Sequence, residues 1–248
     1  MKTAVISPMG LSPPVITEFI DGIGEPVSDV ILFTTAHPQV TAGANLVRAA
    51  LNTKYHWIRV HQEVLPYDDI VTDEQNFHFM KHVSSVFKEE RDRYHCNSIY
   101  LNVAGGRKNM CISLALLGQL LAADGVFHVV NTNVDIINQR LEKNRRLIAR
   151  FGESTNQEDH LAIYEENRSE LDSLLFPPRQ SYQILRIPTL PYPVDYLGYL
   201  VAGMLESGAG LTGEDKELLV KHGLMDRVGS HYTLTSHGER FLEVILQR

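Results

Sequence analysis

Apolar positions along the chain follow two alternating periods. Thr3–Ser7 is a short β-branched run that predicts a central strand, broken at Pro8-Met9-Gly10-Leu11-Ser12-Pro13-Pro14. Val15, Ile16, Phe19 and Ile20 then recur at helical spacing and predict a helix to about Asp21. Asp29–Thr35 (DVILFTT) is continuously apolar, as expected of a strand covered on both faces. A helix follows over Gln39–Leu51, after the break at His37-Pro38, and Trp57–Leu65 reads as a third strand ended by Pro66. Asp69–Arg93 carries Phe77, Met80, Val83 and Phe87 on one stripe, an amphipathic helix. Ser98–Val103 predicts a strand, and Met110–Leu121, apolar on almost every side, predicts a buried helix. Val126–Val130 is a fifth strand. Strands alternating with helices in units of roughly 30 residues predict a mostly parallel sheet wrapped by helices, a Rossmann-like α/β domain.

From 135 to 175 the pattern changes. The segment is densely charged (QRLEKNRRLIAR, then EENRSELDSLL) with thin apolar stripes, and predicts two exposed helices. These are either a solvated face or a lid or dimer arm beside a ligand mouth. Tyr182–Ile187 reads as a last strand, and Pro188, Pro191 and Pro193 as a linker. The division expected is therefore 1–190 and 191–248. In the second part, helices over Val194–Glu206 and Thr212–His222 precede a hairpin around Gly229-Ser230 and a closing helix over Ser236–Leu246. That order resembles a winged helix-turn-helix with one helix fewer than the full form.

Composition narrows the function classes. A hydrophobic fraction of 44% is that of a globular protein with a full core. A net charge of −7 argues against a general duplex-DNA binder, though not against a local phosphate site. The two cysteines, Cys96 and Cys111, form no CxxC pair, so a reducing cytoplasm is expected. The opening MKTAVISPMG is too short for a signal peptide, and no stretch reaches the ~18 apolar residues of a membrane span. There is neither a G-x-G-x-x-G after the first strand nor a G-x-x-x-x-G-K-[ST], which disfavours dinucleotide and Walker sites. His78 and His82 lie four apart on a helix, but no third ligand is apparent, so no metal or other cofactor is expected.

The strongest chemical signal is the turn Ala104-Gly105-Gly106-Arg107-Lys108-Asn109. Its two glycines let a ligand approach the backbone, and its amides add to those of the following helix N-terminus as an anion site. Arg107 and Lys108 place cations at the same point, which indicates a phosphate-bearing ligand; the alternative is an ordinary strand-to-helix turn. In a doubly wound sheet ligands bind beyond the carboxyl ends of the strands at the switch point. With the common strand order, the loops after strands one and four meet there, so Ser12 and Lys108 should face each other across one mouth. Ser12 also sits where an N-cap belongs, and a purely capping role is the plainer reading.

Met9-Gly10-Leu11-Ser12-Pro13-Pro14 followed by Val15-Ile16-Thr17-Glu18 resembles the first ligand loop of CARF domains, the Rossmann-like sensors of type III CRISPR systems. Asn102-Val103-Ala104-Gly105-Gly106-Arg107-Lys108-Asn109-Met110 resembles their second loop, and the likeness covers about 1–130. The resemblance implies a homodimer that binds a cyclic oligoadenylate, most often cyclic tetra-adenylate. The CARF ring nucleases also cleave the ring they bind. Carried over, Ser12 and Lys108 are the catalytic pair, and Met9, Gly10, Leu11, Pro13, Gly105, Gly106, Arg107 and Asn109 join them in binding the ring. Leu11 stands where that loop commonly has threonine, and Asn102 and Ala104 stand where Asp and Thr are frequent. Two further readings stay open: a non-catalytic sensor acting as a winged-helix transcription regulator, and a receptor whose output is another protein. Over 191–248 five cations face eight anions, with Glu214, Asp215 and Glu217 crowding the start of the helix that would enter a DNA groove. Duplex DNA is therefore not expected as a partner, and the module is expected to pack on its own domain or its dimer mate.

Overall fold

In the computed structural model, which describes residues 2–190 and 193–247, one six-stranded sheet organises most of the chain. Its strands are β1 (Thr3–Pro8), β2 (Asp29–Thr34), β3 (Arg59–Val64), β4 (Ser98–Asn102), β5 (Gly125–Asn131) and β6 (Tyr182–Ile187). The order is β3-β2-β1-β4-β5-β6; all neighbours are parallel except β5 and β6. The helices α1 (Pro14–Gly22), α2 (Pro38–Lys54), α3 (Asp73–Asp92) and α4 (Lys108–Leu120) follow the first four strands. One face of the sheet buries Phe33, Phe79, Val83, Leu101, Leu114 and Leu117; the other buries Ile16, Phe19, Leu32, Val47 and Phe127. Coverage of both faces is why β2 reads as an almost unbroken apolar run and why β1, β2 and β4 are buried along their whole length. The Rossmann-like α/β fold is as the sequence predicts.

Two boundaries move, each for a local reason. The α3 helix starts at Asp73, not Asp69, because Thr72 and Gln75 form a capping box. Asp69 is thereby left in the loop before the helix. The α4 helix starts at Lys108, since Arg107 is extended (ψ 151°) and acts as N-cap; Lys108 and Asn109 belong to the first turn. Nor is α4 buried all round: Met110, Leu114 and Leu117 face the core, whereas Ile112 is 70% and Leu116 46% exposed.

The charged insertion is four short helices rather than two exposed ones: α5 (Val134–Lys143), α6 (Arg145–Arg150), α7 (Gln157–Glu166) and α8 (Arg168–Leu175). Phe151, Tyr164, Leu171 and Leu175 build a core with Leu46, Ala49 and Ala50 of α2. The Asn45 side chain donates to the Phe151 carbonyl at 2.8 Å, and Thr17 donates to the carbonyl of Leu175. This half is fastened to the sheet domain, while α5 buries no residue of its own.

After β6 come α9 (Val194–Leu205), α10 (Gly213–Lys221), the hairpin β7 (Met225–Val228) and β8 (His231–Leu234), and α11 (Ser236–Leu246). The expected linker residue Pro191 lies outside the described residues, as does Arg248. Thr212 caps α10, accepting from the Asp215 amide at 3.2 Å, and Gly229 at φ 65° makes the two-residue turn with Ser230. Met204, Leu211, Leu219, Met225 and Leu242 form a small core, giving a winged-helix-like module. It packs on its own chain: Val244 joins the core that includes Phe79 and Val83, Arg240 pairs with Glu74 at 2.8 Å, and Lys81 pairs with Glu243 at 3.1 Å. Among the described residues, no helix is long and apolar enough to cross a membrane.

Candidate functional site

Strands β1 and β4 are neighbours, so the loops after them leave the sheet side by side. Their ends are stitched together. The Ser7 hydroxyl donates to the Asn102 carbonyl at 3.0 Å. The fully buried Asn102 side chain donates to the Val15 carbonyl at 3.2 Å and accepts from the Ala104 amide at 3.1 Å. Asn102, a departure from the family pattern, thus fixes both the second loop and the first turn of α1. The loops then touch through bare backbone: a Cβ at Gly10 would lie 2.9 Å from the Gly106 nitrogen. Gly106 itself has φ +83°, and a Cβ there would lie 2.6 Å from that of Pro8.

The two cations of the second loop have different surroundings. Arg107 Nε pairs with Asp69 at 2.9 Å. Lys108, the first residue of α4, is exposed and has no ion-pair partner among the described residues. Asn109 is structural: its amide donates to the Ile70 carbonyl at 3.1 Å, while its oxygen accepts from the Met110 amide at 3.0 Å. The positive potential foreseen for this turn is therefore concentrated on Lys108 and on the N-terminal amides of α4, which has no side-chain cap. Asp69 went unnoticed in the sequence because it was assigned to α3.

Ser12 is not a cap. The N-cap of α1 is Pro13, in helical conformation (φ −50°, ψ −38°), with no side-chain cap bond. Of the two amides a capping Ser12 could bond, that of Pro14 is absent and that of Val15 receives no bond from the Ser12 side chain. The half-buried Ser12 hydroxyl has no hydrogen-bond partner among the described residues.

A cavity of about 240 Å³ at this mouth is lined from both loops by Gly10, Leu11, Gly106 and Arg107, together with His37 and Asp68. Met9 lines it too, although its side chain is buried in the core and its amide donates to the Phe33 carbonyl at 2.7 Å. His37, at the break before α2, caps that helix by accepting from the Gln39 amide at 3.3 Å. Leu11, 62% exposed, also lines a second cavity of about 430 Å³ with Pro13, α2 and the insertion. Ser12 and Lys108 line neither cavity.

A second polar cluster lies at the other end of the strands. Asp29, Glu90 and Cys96 hold their ligating atoms within 4.8 Å of one another. Arg59 already occupies the carboxylates, donating to Asp29 and, at 2.7 Å, to Glu90; its guanidinium lies 3.6 Å from the centre of the Tyr94 ring. Burial and the adjacent carboxylates push the Cys96 thiol up to about 12, so it stays protonated. His82 is paired with Glu63 at 2.9 Å and His78 with the Tyr67 hydroxyl at 3.0 Å, which divides the histidine pair between separate partners. Behind the mouth on α1, Glu18 is fully buried, with one oxygen accepting from Asn131 at 3.2 Å and the other unpartnered. Burial raises its carboxyl to about 7, which the Asn131 bond only partly offsets.

A Rossmann-like domain whose first and fourth loops meet at the switch point, joined to a winged-helix-like module, is the architecture of a CARF-domain protein. Residues 12–190 match the family described as CRISPR-associated protein NE0113, and residues 194–246 match the CARF-associated HTH. The chain belongs to the NE0113 family of CRISPR-associated proteins and carries a CARF-associated HTH at its C-terminal side.

Among solved structures, one similar to this chain is Enterococcus italicus Csm6 bound to cyclic hexa-2'-fluoro-hexa-dAMP. It is 16% identical with a TM-score of 0.48, over 89% of this chain and 49% of that one. Can2 from Sulfobacillus thermosulfidooxidans in complex with cyclic tetra-adenylate is 12% identical (TM-score 0.37, 98% and 63% covered). Protein VC1899 from Vibrio cholerae is 8% identical (TM-score 0.40, 99% and 66% covered). The chain spans between about half and two thirds of the length of these three structures. No curated protein matches it significantly.

Proposed function

We propose that the chain is a ring nuclease of type III CRISPR signalling that binds a cyclic oligoadenylate, cyclic tetra-adenylate in the first instance, and cleaves it. Residues 1–190 act as the sensor and catalytic domain and 191–248 as an accessory module. The observation that carries this reading is Lys108: exposed, unpaired among the described residues, and first in a helix whose N-cap makes no side-chain bond and whose first two amides have no hydrogen-bond partner among the described residues.

The substrate brings its own nucleophile. The ribose 2'-OH attacks the neighbouring phosphorus and loses its proton, and the P–O5' bond breaks. The 5' oxygen leaves as a hydroxyl, and the linear product ends in 2',3'-cyclic phosphate. The chain need only hold the hydroxyl in line and stabilise charge on the phosphorane. Lys108, with the Gly105 and Gly106 amides, holds the phosphate. Ser12, whose hydroxyl is not spent on a helix cap, orients the ribose. Met9, Gly10, Leu11, Pro13, Arg107 and Asn109 shape the binding surface around them. A homodimer presents these loops twice to one ring, and the exposed Ile112 and Leu116 beside Lys108 on α4 supply apolar surface for pairing. The protein acts in the cytoplasm on this reading.

Incubating the purified chain with cyclic tetra-adenylate in EDTA should yield linear product with a 2',3'-cyclic phosphate end. Calorimetry should count one ring per dimer. Tight binding without product would overturn the nuclease and favour the sensor, the reading that the HTH match supports. Against a DNA-reading output stand the acidic α10 and the docking of α11 on α3. A fluorescence-anisotropy titration at physiological salt should accordingly find no duplex affinity tighter than about micromolar. Nanomolar, sequence-dependent binding that responds to the ring would reverse that assignment.

A further inference from the structure

The cavity on the outer side of Leu11 is not accounted for by phosphate chemistry. It measures about 430 Å³, within the ~300–1,000 Å³ usual for small-molecule sites. Its walls are mainly apolar, with Leu141 and Ile148 from the insertion facing Ala42 of α2. Leu11 belongs to this cavity and to the mouth cavity alike, so the two are adjoining compartments. A ligand with a phosphate at the N-terminus of α4 would extend its next group past Leu11 into this space.

We infer that helices α5 and α6 of the insertion complete an adenine-binding subsite, in which one base of the ring lies between Leu141 and Ile148 and is read by the amides of Gln39 and Asn138. This inference rests on the cyclic-oligoadenylate reading above. Both amides line the cavity, and neither side chain has a hydrogen-bond partner among the described residues. A side-chain amide offers one donor and one acceptor at the spacing of adenine N7 and the 6-amino group. Arg145 lines the same cavity, and its one ion pair, to Glu142 at 3.4 Å, is long and exposed. Its planar guanidinium is thus available to stack on a base. The floor is fixed, since α6 continues into the core that α7 and α8 share with α2. The outer wall is lighter: α5 is held by Arg140 donating to the Ser173 carbonyl at 3.1 Å and by a Lys143–Glu170 pair at 2.9 Å.

The test compares binding of cyclic tetra-adenylate and cyclic tetra-inosinate, whose 6-oxo group replaces the amino donor. The wild-type chain should prefer the adenylate ring. Gln39→Ala/Asn138→Ala should bind it about five- to a hundredfold more weakly and lose the preference, from the usual worth of such base contacts. Ala149→Trp, which fills the cavity from an exposed position, should weaken adenylate binding without lowering the melting temperature. Unchanged affinity and preference in both variants would overturn the subsite and leave the functional reading standing. A wild-type chain that binds neither ring would overturn that functional reading, and the subsite with it.

Discussion

The two ends of the parallel strands both gather charged side chains, and they use them in opposite ways. At the amino end Arg59 holds Asp29 and Glu90 together, stacks on Tyr94 and leaves neither carboxylate without a cation. At the carboxyl end Arg107 is matched by Asp69, but Lys108 and the first two amides of α4 are matched by nothing among the described residues. A charge cluster that satisfies itself serves stability; one that stops a partner short keeps a charge free for a ligand. Ligating residue types alone would point to the amino end, because Asp29, Glu90 and Cys96 are the more obvious metal-like set.

Breaking the open end should have the largest consequence. Lys108→Ala removes the charge-stabilising donor, and single-turnover ring cleavage should fall about a hundred- to a thousandfold, equivalent to ~2.7–4 kcal/mol, with the melting temperature unmoved. An unchanged rate would end its assigned role. Breaking the closed end should do the reverse. Arg59→Met strands two buried carboxylates, and chemical denaturation should show a loss of about 3 kcal/mol, with the cleavage rate of the remaining folded protein intact.

The third test lies behind the mouth. Glu18 has a folded pKa of about 7, raised from 4.5, so the folded state binds the extra proton between those values. Its contribution to stability is complete below about 4.5 and is lost as pH rises through about 7. Glu18→Gln should remove that part of the decline, and identical pH–stability curves for the two proteins would refute it. The smallest effect on stability belongs to Ser12→Ala. With no cap bond to lose, it should change stability by less than about 0.5 kcal/mol while still slowing cleavage. A loss of about 1 kcal/mol with an unchanged rate would restore the capping role.

Much of this was readable from the chain because burial on two sides leaves an unbroken apolar record. β2 followed from that record, β1 and β4 from their β-branched and apolar content, and the order that brings two loops together from the common doubly wound arrangement, which the sheet has. Ser12 misled because its neighbours were weighed one at a time. Pro13 alone suits a first helical turn, but Pro14 removes one of the two amides open to a serine cap, and Pro13 in helical conformation takes the N-cap position itself. The insertion misled because its buried Tyr164 and Leu171 fall in different short helices, interrupted at Asn167, so neither helix carries a long stripe. Arg107 and Asp69 pair across a long stretch of sequence, and no periodicity records such a contact. The depth of Glu18 was hidden likewise, since its cover comes from β5 and β6 and not from α1.

The bare contact between Gly10 and Gly106 has a consequence for how such a protein can change over generations. Where two loops meet through side chains, a substitution on one can be answered by a substitution on the other, and the pair can drift together. Here there is no side chain to trade: a methyl group on Gly10 meets the Gly106 nitrogen, and one on Gly106 meets Pro8. The junction is inherited whole. Variation is channelled to the positions just outside it, Leu11 and Ser12 on one loop and Arg107 and Lys108 on the other. Single exchanges at those positions can therefore change what the mouth presents to a ligand while the frame that holds them stays the same.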